Sequence, residues 1–138
     1  MTERRVLIVD DDLSLNAILG LHLQDAGYHI AGARTCREAL FLLQDRPFSA
    51  ALLDYRLPDG TGLEVLRAAR ESVPAMGVIM ISGVHDAAVR RAALEGGAID
   101  LLRKPISLME LDAALERLEE RHPMADGPKA ARQAWSAG

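Results

Sequence analysis

The residues best suited to chemistry come in four short clusters. Asp10-Asp11-Asp12, Asp54, Ser82-Gly83 and Arg103-Lys104-Pro105 each follow a short apolar run. If those runs are strands of one sheet, the clusters share one edge. Several carboxylates, a hydroxyl and an amine then meet from positions distant in sequence. Gathered carboxylates repel one another and raise one another's pKa unless a cation relieves them. Mg²⁺ suits such a place: it takes oxygen ligands in an octahedron, uses one or two carboxylates and keeps water and phosphate oxygens for the rest. An Asp11–Asp54 pair fits that description, and Lys104 adds a compact positive charge of the kind that binds phosphate. The three negative charges of Asp10, Asp11 and Asp54 are balanced by Lys104 only when a divalent cation is also present.

The chemistry this suggests is phosphoryl transfer. A carboxylate can act as a nucleophile and form an aspartyl-phosphate, which makes Asp54 the candidate acceptor. Catalysis then rests on positioning and on stabilising charge at the phosphoryl oxygens. The metal and Lys104 would do most of that, with the Ser82 hydroxyl donating a hydrogen bond. Taken singly, these residues say little. An Asp at a strand end is usually a turn residue or a cap, and Asp12 is expected simply to cap the helix that follows it. The weight lies in their joint occurrence at four strand ends.

Five elements of each kind must position them. The apolar runs Val6–Val9, Tyr28–Ala33, Ala50–Leu53, Gly77–Ile81 and Ile99–Leu102 predict strands. Four of the five are continuous rather than alternating, the mark of strands covered on both faces. Between and after them run helical stripes: Leu15, Leu19, Leu23 and Ala26; Cys36, Ala39, Leu40 and Leu43; Val65, Leu66, Ala69 and Val73; Val89, Ala92 and Ala93; Leu111, Ala114, Leu115 and Leu118. Gly27 and Gly96-Gly97 mark helix ends. Thr35 with Glu38, Thr61 with Glu64 and Ser107 with Glu110 have the spacing of capping boxes. Repeated strand–helix units of this length imply right-handed crossovers and an open parallel sheet with helices on both faces. Ligands of such sheets bind beyond the carboxyl ends of the strands.

Composition narrows the function. The chain of 138 residues has one domain's worth of length. Its net charge of −4 argues against a general basic surface, so direct nucleic-acid binding by this chain is not expected. Cys36 is the single cysteine and lies on an apolar helical face, where a buried thiol is expected rather than a reactive one. Met1–Arg5 lacks the apolar core of a signal peptide, and no apolar run approaches about 20 residues. A cytoplasmic location without a membrane span is therefore expected. Residues 122–138, with Pro123, Gly127, Pro128 and Trp135, are expected to be a C-terminal tail or the start of a linker.

Val6-Leu7-Ile8-Val9-Asp10-Asp11-Asp12, Leu52-Leu53-Asp54-Tyr55-Arg56-Leu57-Pro58-Asp59-Gly60-Thr61-Gly62, Met80-Ile81-Ser82-Gly83 and Lys104-Pro105 stand in this order and spacing. Together they resemble the response-regulator receiver domain of two-component signal transduction, over residues 4–121. The resemblance implies an α/β, doubly wound (βα)5 flavodoxin-like fold with a five-stranded parallel sheet in the order 2-1-3-4-5. It implies a phosphorylation-dependent switch that takes a phosphoryl group onto Asp54 from a histidine kinase or phosphotransfer protein. Asp11 would bind Mg²⁺ directly, Asp10 directly or through water, and Arg56 through its backbone carbonyl. Ser82 would be the switch hydroxyl. Lys104 would bridge the acceptor and then the phosphoryl group. The Lys104–Pro105 bond is expected to be cis, and Pro58 and Gly60 to shape the loop after strand three. The family repacks the surface of helix four, strand five and helix five on phosphorylation, so an effector and a homodimer through helices four and five are implied partners. Beyond its own phosphorylation and slow dephosphorylation, no enzymatic activity is expected.

Two positions depart from the family pattern. Leu101 stands where Tyr or Phe is usual, which puts the aromatic route of signal transmission in doubt without touching the reaction. Gly83 stands where alanine is common. Arg56 and Val84 flank the phosphate pocket and are expected to tune the lifetime of the phosphate. A haloacid-dehalogenase-like phosphatase would need a second acid at position 56, which is Arg56. A flavodoxin-like cofactor binder would need a hydroxyl- and glycine-rich loop where Asp10-Asp11-Asp12 stands. A receiver-like scaffold that works without phosphorylation, and the receiver piece of a longer DNA-binding transcriptional regulator, remain open alternatives.

Overall fold

The computed structural model describes residues 4–84 and 86–123. Trp135 and the rest of the expected tail from 124 to 138 lie outside the described residues. Five strands, β1 (Arg5–Val9), β2 (His29–Ala33), β3 (Ala50–Asp54), β4 (Gly77–Ser82) and β5 (Asp100–Arg103), alternate with α1 (Leu13–Asp25), α2 (Cys36–Asp45), α3 (Gly62–Ser72), α4 (Ala87–Glu95) and α5 (Leu108–Arg121). All pairings in the sheet are parallel and the order is β2-β1-β3-β4-β5, as expected. The order reverses between β1 and β3, so Asp10-Asp11-Asp12 and Asp54 emerge side by side at the switch point.

The continuous apolar strands do feed two cores. Leu7 and Val9 pack with Ala39, Leu43, Val65, Ala69 and Ala93 on the side of α2, α3 and α4. Val6 and Ile8 pack with Leu19, Leu23, Leu111, Ala114 and Leu118 on the side of α1 and α5. The period of two along each strand sends neighbours to opposite faces, and both faces are dry. β2 is weaker in sequence because it is an edge strand: His29 and Gly32 are exposed and only Ala33 is fully buried. It starts at His29 rather than Tyr28, whose buried ring packs on the α1–α5 side. β5 starts one residue later than expected, at Asp100. Leu40 is only half-buried, because the narrow stripe of α2 is carried by Cys36, Ala39 and Leu43.

The helix starts hold one correction. Asp12 caps α1 by accepting from Ser14 and Leu15 N–H, at 3.0 and 3.2 Å. Thr35 Oγ1 and Ser107 Oγ accept from the N–H of Glu38 and Glu110, at 3.0 and 3.3 Å. Thr61 makes no side-chain cap. It is held instead in a two-residue antiparallel ladder, Arg56–Leu57 against Gly60–Thr61, and Gly62 N–H donates to the Tyr55 carbonyl at 2.8 Å. The Glu64 carboxylate lies against Gly60, where an added Cβ would come within 2.7 Å of Oε2. Gly27 and Gly97 take φ of 101° and 104° just past α1 and α4, which is the left-handed stop that glycine permits. The Lys104–Pro105 bond is cis. Among the described residues no helix is long and apolar enough to cross a membrane.

Candidate functional site

Each strand of the inner sheet delivers its polar residue where the apolar run stops. Asp10 is fully buried at the end of β1, and its Oδ1 accepts from Asp12 N–H at 2.9 Å. That bond fixes the turn into α1 and leaves Asp11 exposed. Asn16, one turn into α1, donates its amide to the carbonyls of Asp10 and Ala33, at 3.2 and 3.3 Å, and so ties the ends of β1 and β2 to the helix. Sequence reasoning passed over Asn16, since a polar residue in a helix carries no signal by itself.

Asp54 closes β3 and is 4% exposed. Asp10, Asp11 and Asp54 each offer a carboxylate oxygen, and these lie within 4.8 Å of one another. Lys104, at the end of β5, reaches over them. Its Nζ donates to Asp54 Oδ2 at 3.1 Å and stands 3.0 Å from Asp10 Oδ2. The Asp10 contact has ion-pair distance without hydrogen-bond geometry, so Oδ2 is a buried oxygen with no hydrogen bond. Burial, and then the neighbouring charge of Asp10, push the Asp54 carboxyl up to about 6, against the pull of Lys104 and of the Arg56 backbone N–H. Burial works against the charge of Lys104, but the two carboxylates more than offset it and hold the ammonium above the usual lysine range.

Ser82 ends β4, fully buried, one position beyond Ile81, the partner of Asp54 in the sheet. Its hydroxyl is engaged by its own loop: Val84 N–H donates to Oγ at 2.9 Å, and Oγ–H donates to the Val84 carbonyl at 3.3 Å. Lys104 N–H donates to the Ser82 carbonyl at 2.9 Å, which joins the two residues at one edge of the pocket. Arg56 is exposed and stands two residues past Asp54, where its backbone N–H helps to hold the Asp54 carboxyl down. All six expected site residues, Asp10, Asp11, Asp54, Arg56, Ser82 and Lys104, therefore gather at the carboxyl end of the sheet. Leu101 is 7% exposed and packs in the core layer under α4. Cys36 is buried, and burial followed by the Asp59 carboxylate pushes its thiol up to about 11, consistent with an unreactive side chain.

The cluster fits a divalent cation. Three carboxylates against one ammonium leave two negative charges, one buried oxygen lacks a hydrogen bond, and the all-oxygen donor set is that of a hard ion. The profile of the response regulator receiver domain matches residues 6–116. The chain belongs to the response regulator receiver domain family. This receiver is 36% identical over 129 residues to the response regulator protein PilR of Pseudomonas aeruginosa, covering 91% of this chain and 28% of PilR. It is 32% identical over 136 residues to the photosynthetic apparatus regulatory protein RegA of Rhodobacter capsulatus, covering 97% of this chain and 74% of RegA. The crystal structure of a CheY-like response regulator receiver domain protein from Methanospirillum hungatei superposes with a TM-score of 0.81 at 32% identity, over 87% of this chain and 97% of that one. A receiver of this family is a two-component signalling module, with a kinase or phosphotransfer partner on one side and an output on the other.

Proposed function

We propose that this receiver takes a phosphoryl group onto Asp54 from the phosphohistidine of a sensor kinase or phosphotransfer protein, with Mg²⁺ held by Asp10, Asp11, Asp54 and the backbone carbonyl of Arg56. The observation that carries this reading is the convergence of three carboxylate oxygens within 4.8 Å of one another beneath the Lys104 ammonium. With its pKa at about 6, Asp54 is ionised at neutral pH and keeps a lone pair for attack. An Asp54 oxygen bonds to phosphorus as the P–N bond to the donor imidazole breaks and that nitrogen takes the electron pair. Bound Mg²⁺ would supply charge stabilisation to the transferring phosphoryl oxygens. Lys104 already touches the acceptor carboxylate, and the same ammonium is within reach of a phosphoryl oxygen built on it. Ser82 must give up Val84 to donate to that phosphoryl group, which frees the start of the loop into α4. That exchange links chemistry at Asp54 to the packing of α4 and is the switch.

Residues 4–121 form the receiver unit in this reading, with 122–138 as tail or linker. The donor docks on the apolar groove beside Lys104, lined by Leu15, Ile18, Leu19, Pro105, Ile106 and Leu108. An effector, on the same polypeptide or a separate one, reads the face of α4, β5 and α5, where a homodimer would also form. The protein works in the cytoplasm, without itself gripping nucleic acid, and its catalysis is confined to its own phosphorylation and slow dephosphorylation.

The test is intact mass after incubation with acetyl phosphate and Mg²⁺. The expected result is a gain of about 80 Da, lost on chelation and absent in Asp54→Asn. If neither acetyl phosphate nor phosphorylated kinases load the folded native chain, the protein is a receiver-like interaction scaffold instead, a reading that Leu101 alone favours.

A further inference from the structure

We propose that Asp59 is a positioning residue for the acceptor site: by capping α2 from outside, it fixes the loop that carries Arg56, two residues past Asp54. The proposal rests on Asp54 as acceptor, and it adds an element, α2, that contributes no side chain to the pocket.

The loop after β3 starts from a firm base. Tyr55 N–H donates to the Ile81 carbonyl, and Gly62 N–H to the Tyr55 carbonyl, both at 2.8 Å. Between these anchors the only regular pairing is Arg56 with Thr61 and Leu57 with Gly60. A ladder of two residue pairs does not hold itself in water. Yet one of its members, Arg56, follows the acceptor by only two residues, and its backbone carbonyl is the ligand proposed above for Mg²⁺. A displacement of this strand moves that carbonyl away from the carboxylate cluster.

The far end of the loop is tied down by Asp59. Its Oδ1 accepts from Cys36 N–H at 2.8 Å and its Oδ2 from Arg37 N–H at 3.0 Å. These are the first two helical residues of α2, whose N–H groups have no partner within the helix. Thr35, the local cap, serves the third, at Glu38. The start of α2 is thus capped jointly by its own threonine and by a carboxylate 22 residues beyond Arg37. The two bonds hold the Asp59 carboxyl below the usual carboxylate range. A third tie runs beside them, from Cys36 Sγ to the Thr61 carbonyl at 3.4 Å. The turn and the second strand of the small ladder are therefore moored to α2, and the first strand is held through its pairing with the second. An aspartate in a Pro-Asp-Gly turn ordinarily bonds its own loop; here the carboxylate leaves the loop for another element, which is what a positioning role requires.

The two caps of α2 provide their own control. Thr35→Ala and Asp59→Ala each strip a cap from the same helix, but only Asp59 is part of the loop. Two readouts on the full chain separate positioning from stability: hydrogen exchange at the Arg56 amide without metal, and Mg²⁺ affinity by calorimetry. Asp59→Ala is expected to speed Arg56 exchange several-fold and to weaken Mg²⁺ binding by about tenfold, the scale on which outer contacts tune a metal site. The phosphorylation rate at saturating Mg²⁺ should stay near that of the native chain. Asp59→Asn, which keeps an acceptor oxygen for one of the two N–H groups, should fall between. Thr35→Ala should lower the melting temperature while leaving both readouts alone. If Asp59→Ala matches Thr35→Ala in both, Asp59 is only a helix cap and the proposal is wrong. If the native chain binds no Mg²⁺ but Arg56 exchange still responds to Asp59, the mooring stands and the metal assignment fails.

Discussion

The Lys104 ammonium donates to Asp54 Oδ2 at 3.1 Å from the far end of the sheet, 50 residues along the chain. Because Asp10 Oδ2 is also 3.0 Å away, this single cation shields two buried carboxylates from each other. Lys104→Met should therefore cost about 2–3 kcal/mol of stability at pH 7 without metal, since breaking such a pair strands the remaining charge. Adding Mg²⁺ should recover much of that loss, because the cation takes over the neutralisation. Phosphorylation by acetyl phosphate should slow by about 100-fold, as for loss of one charge-stabilising donor. Urea unfolding with and without Mg²⁺ gives the first result and intact mass against time the second. Equal stability of the two chains at pH 7 would show that the pair shields nothing.

Asp54 gives a pH signature with a definite sign. Its carboxyl titrates at about 6 in the folded chain against an ordinary value of 3.8. Between those values the folded state holds more proton than the unfolded one, so this group's contribution to stability falls as pH rises from about 4 to about 6. Asp54→Asn removes the titration. Its advantage over the native chain should be small at pH 4 and reach about 3 kcal/mol at pH 7. The difference between the two chains is the quantity to measure, because it cancels groups such as Asp59 that titrate the other way. A difference that does not change with pH would contradict the burden assigned to Asp54.

Gly62 lets the start of α3 approach the acceptor strand. A Cβ placed on it would lie 2.3 Å from the Asp54 carbonyl oxygen and 3.0 Å from the Met80 Cε. Met80 could shift; the backbone of β3 cannot. Gly62→Ala should thus cost about 2–3 kcal/mol, at the upper end for an overpacked core, although alanine is the better helix former. Thermal melting checks the sign: a stabilised variant would mean that the start of α3 slides easily.

What the sequence carried was the part written in periodicity and in strand ends. Continuous apolar runs announced the two-sided sheet, and Asp10, Asp11, Asp54, Ser82 and Lys104 were legible because each interrupts such a run. The connections across space were not legible. Thr61 and Glu64 have capping-box spacing, but the ladder with Arg56–Leu57 claims Thr61 first. Asp59 sits in a Pro-Asp-Gly turn that explains itself locally, and nothing in the spacing shows that its carboxylate caps α2. Asn16 resembles any polar helical residue until β1 and β2 bring three carbonyls to it.

Leu101 separates the reaction from its transmission. The side chain is buried in the core layer under α4. Its peptide group, by contrast, is held by two charged side chains. The N–H donates to Asp100 Oδ1 at 2.8 Å, and the carbonyl accepts from Arg90 Nη1 of α4 at 3.3 Å. Asp100 in turn pairs with Arg90 and with Arg117 of α5. The link from α4 to β5 thus runs through Arg90 and the backbone, where an aromatic side chain would offer a ring. Leu101→Ala should cost about 2–4 kcal/mol through the cavity it leaves, with the initial phosphorylation rate kept within about twofold, since no group that stabilises the transferring phosphoryl is lost. Arg90→Ala should change stability far less, because the arginine is exposed, but should blunt the phosphorylation-dependent difference in hydrogen exchange along β5. A large drop in phosphorylation rate on Leu101→Ala, in a chain still folded, would place that side chain in the reaction after all.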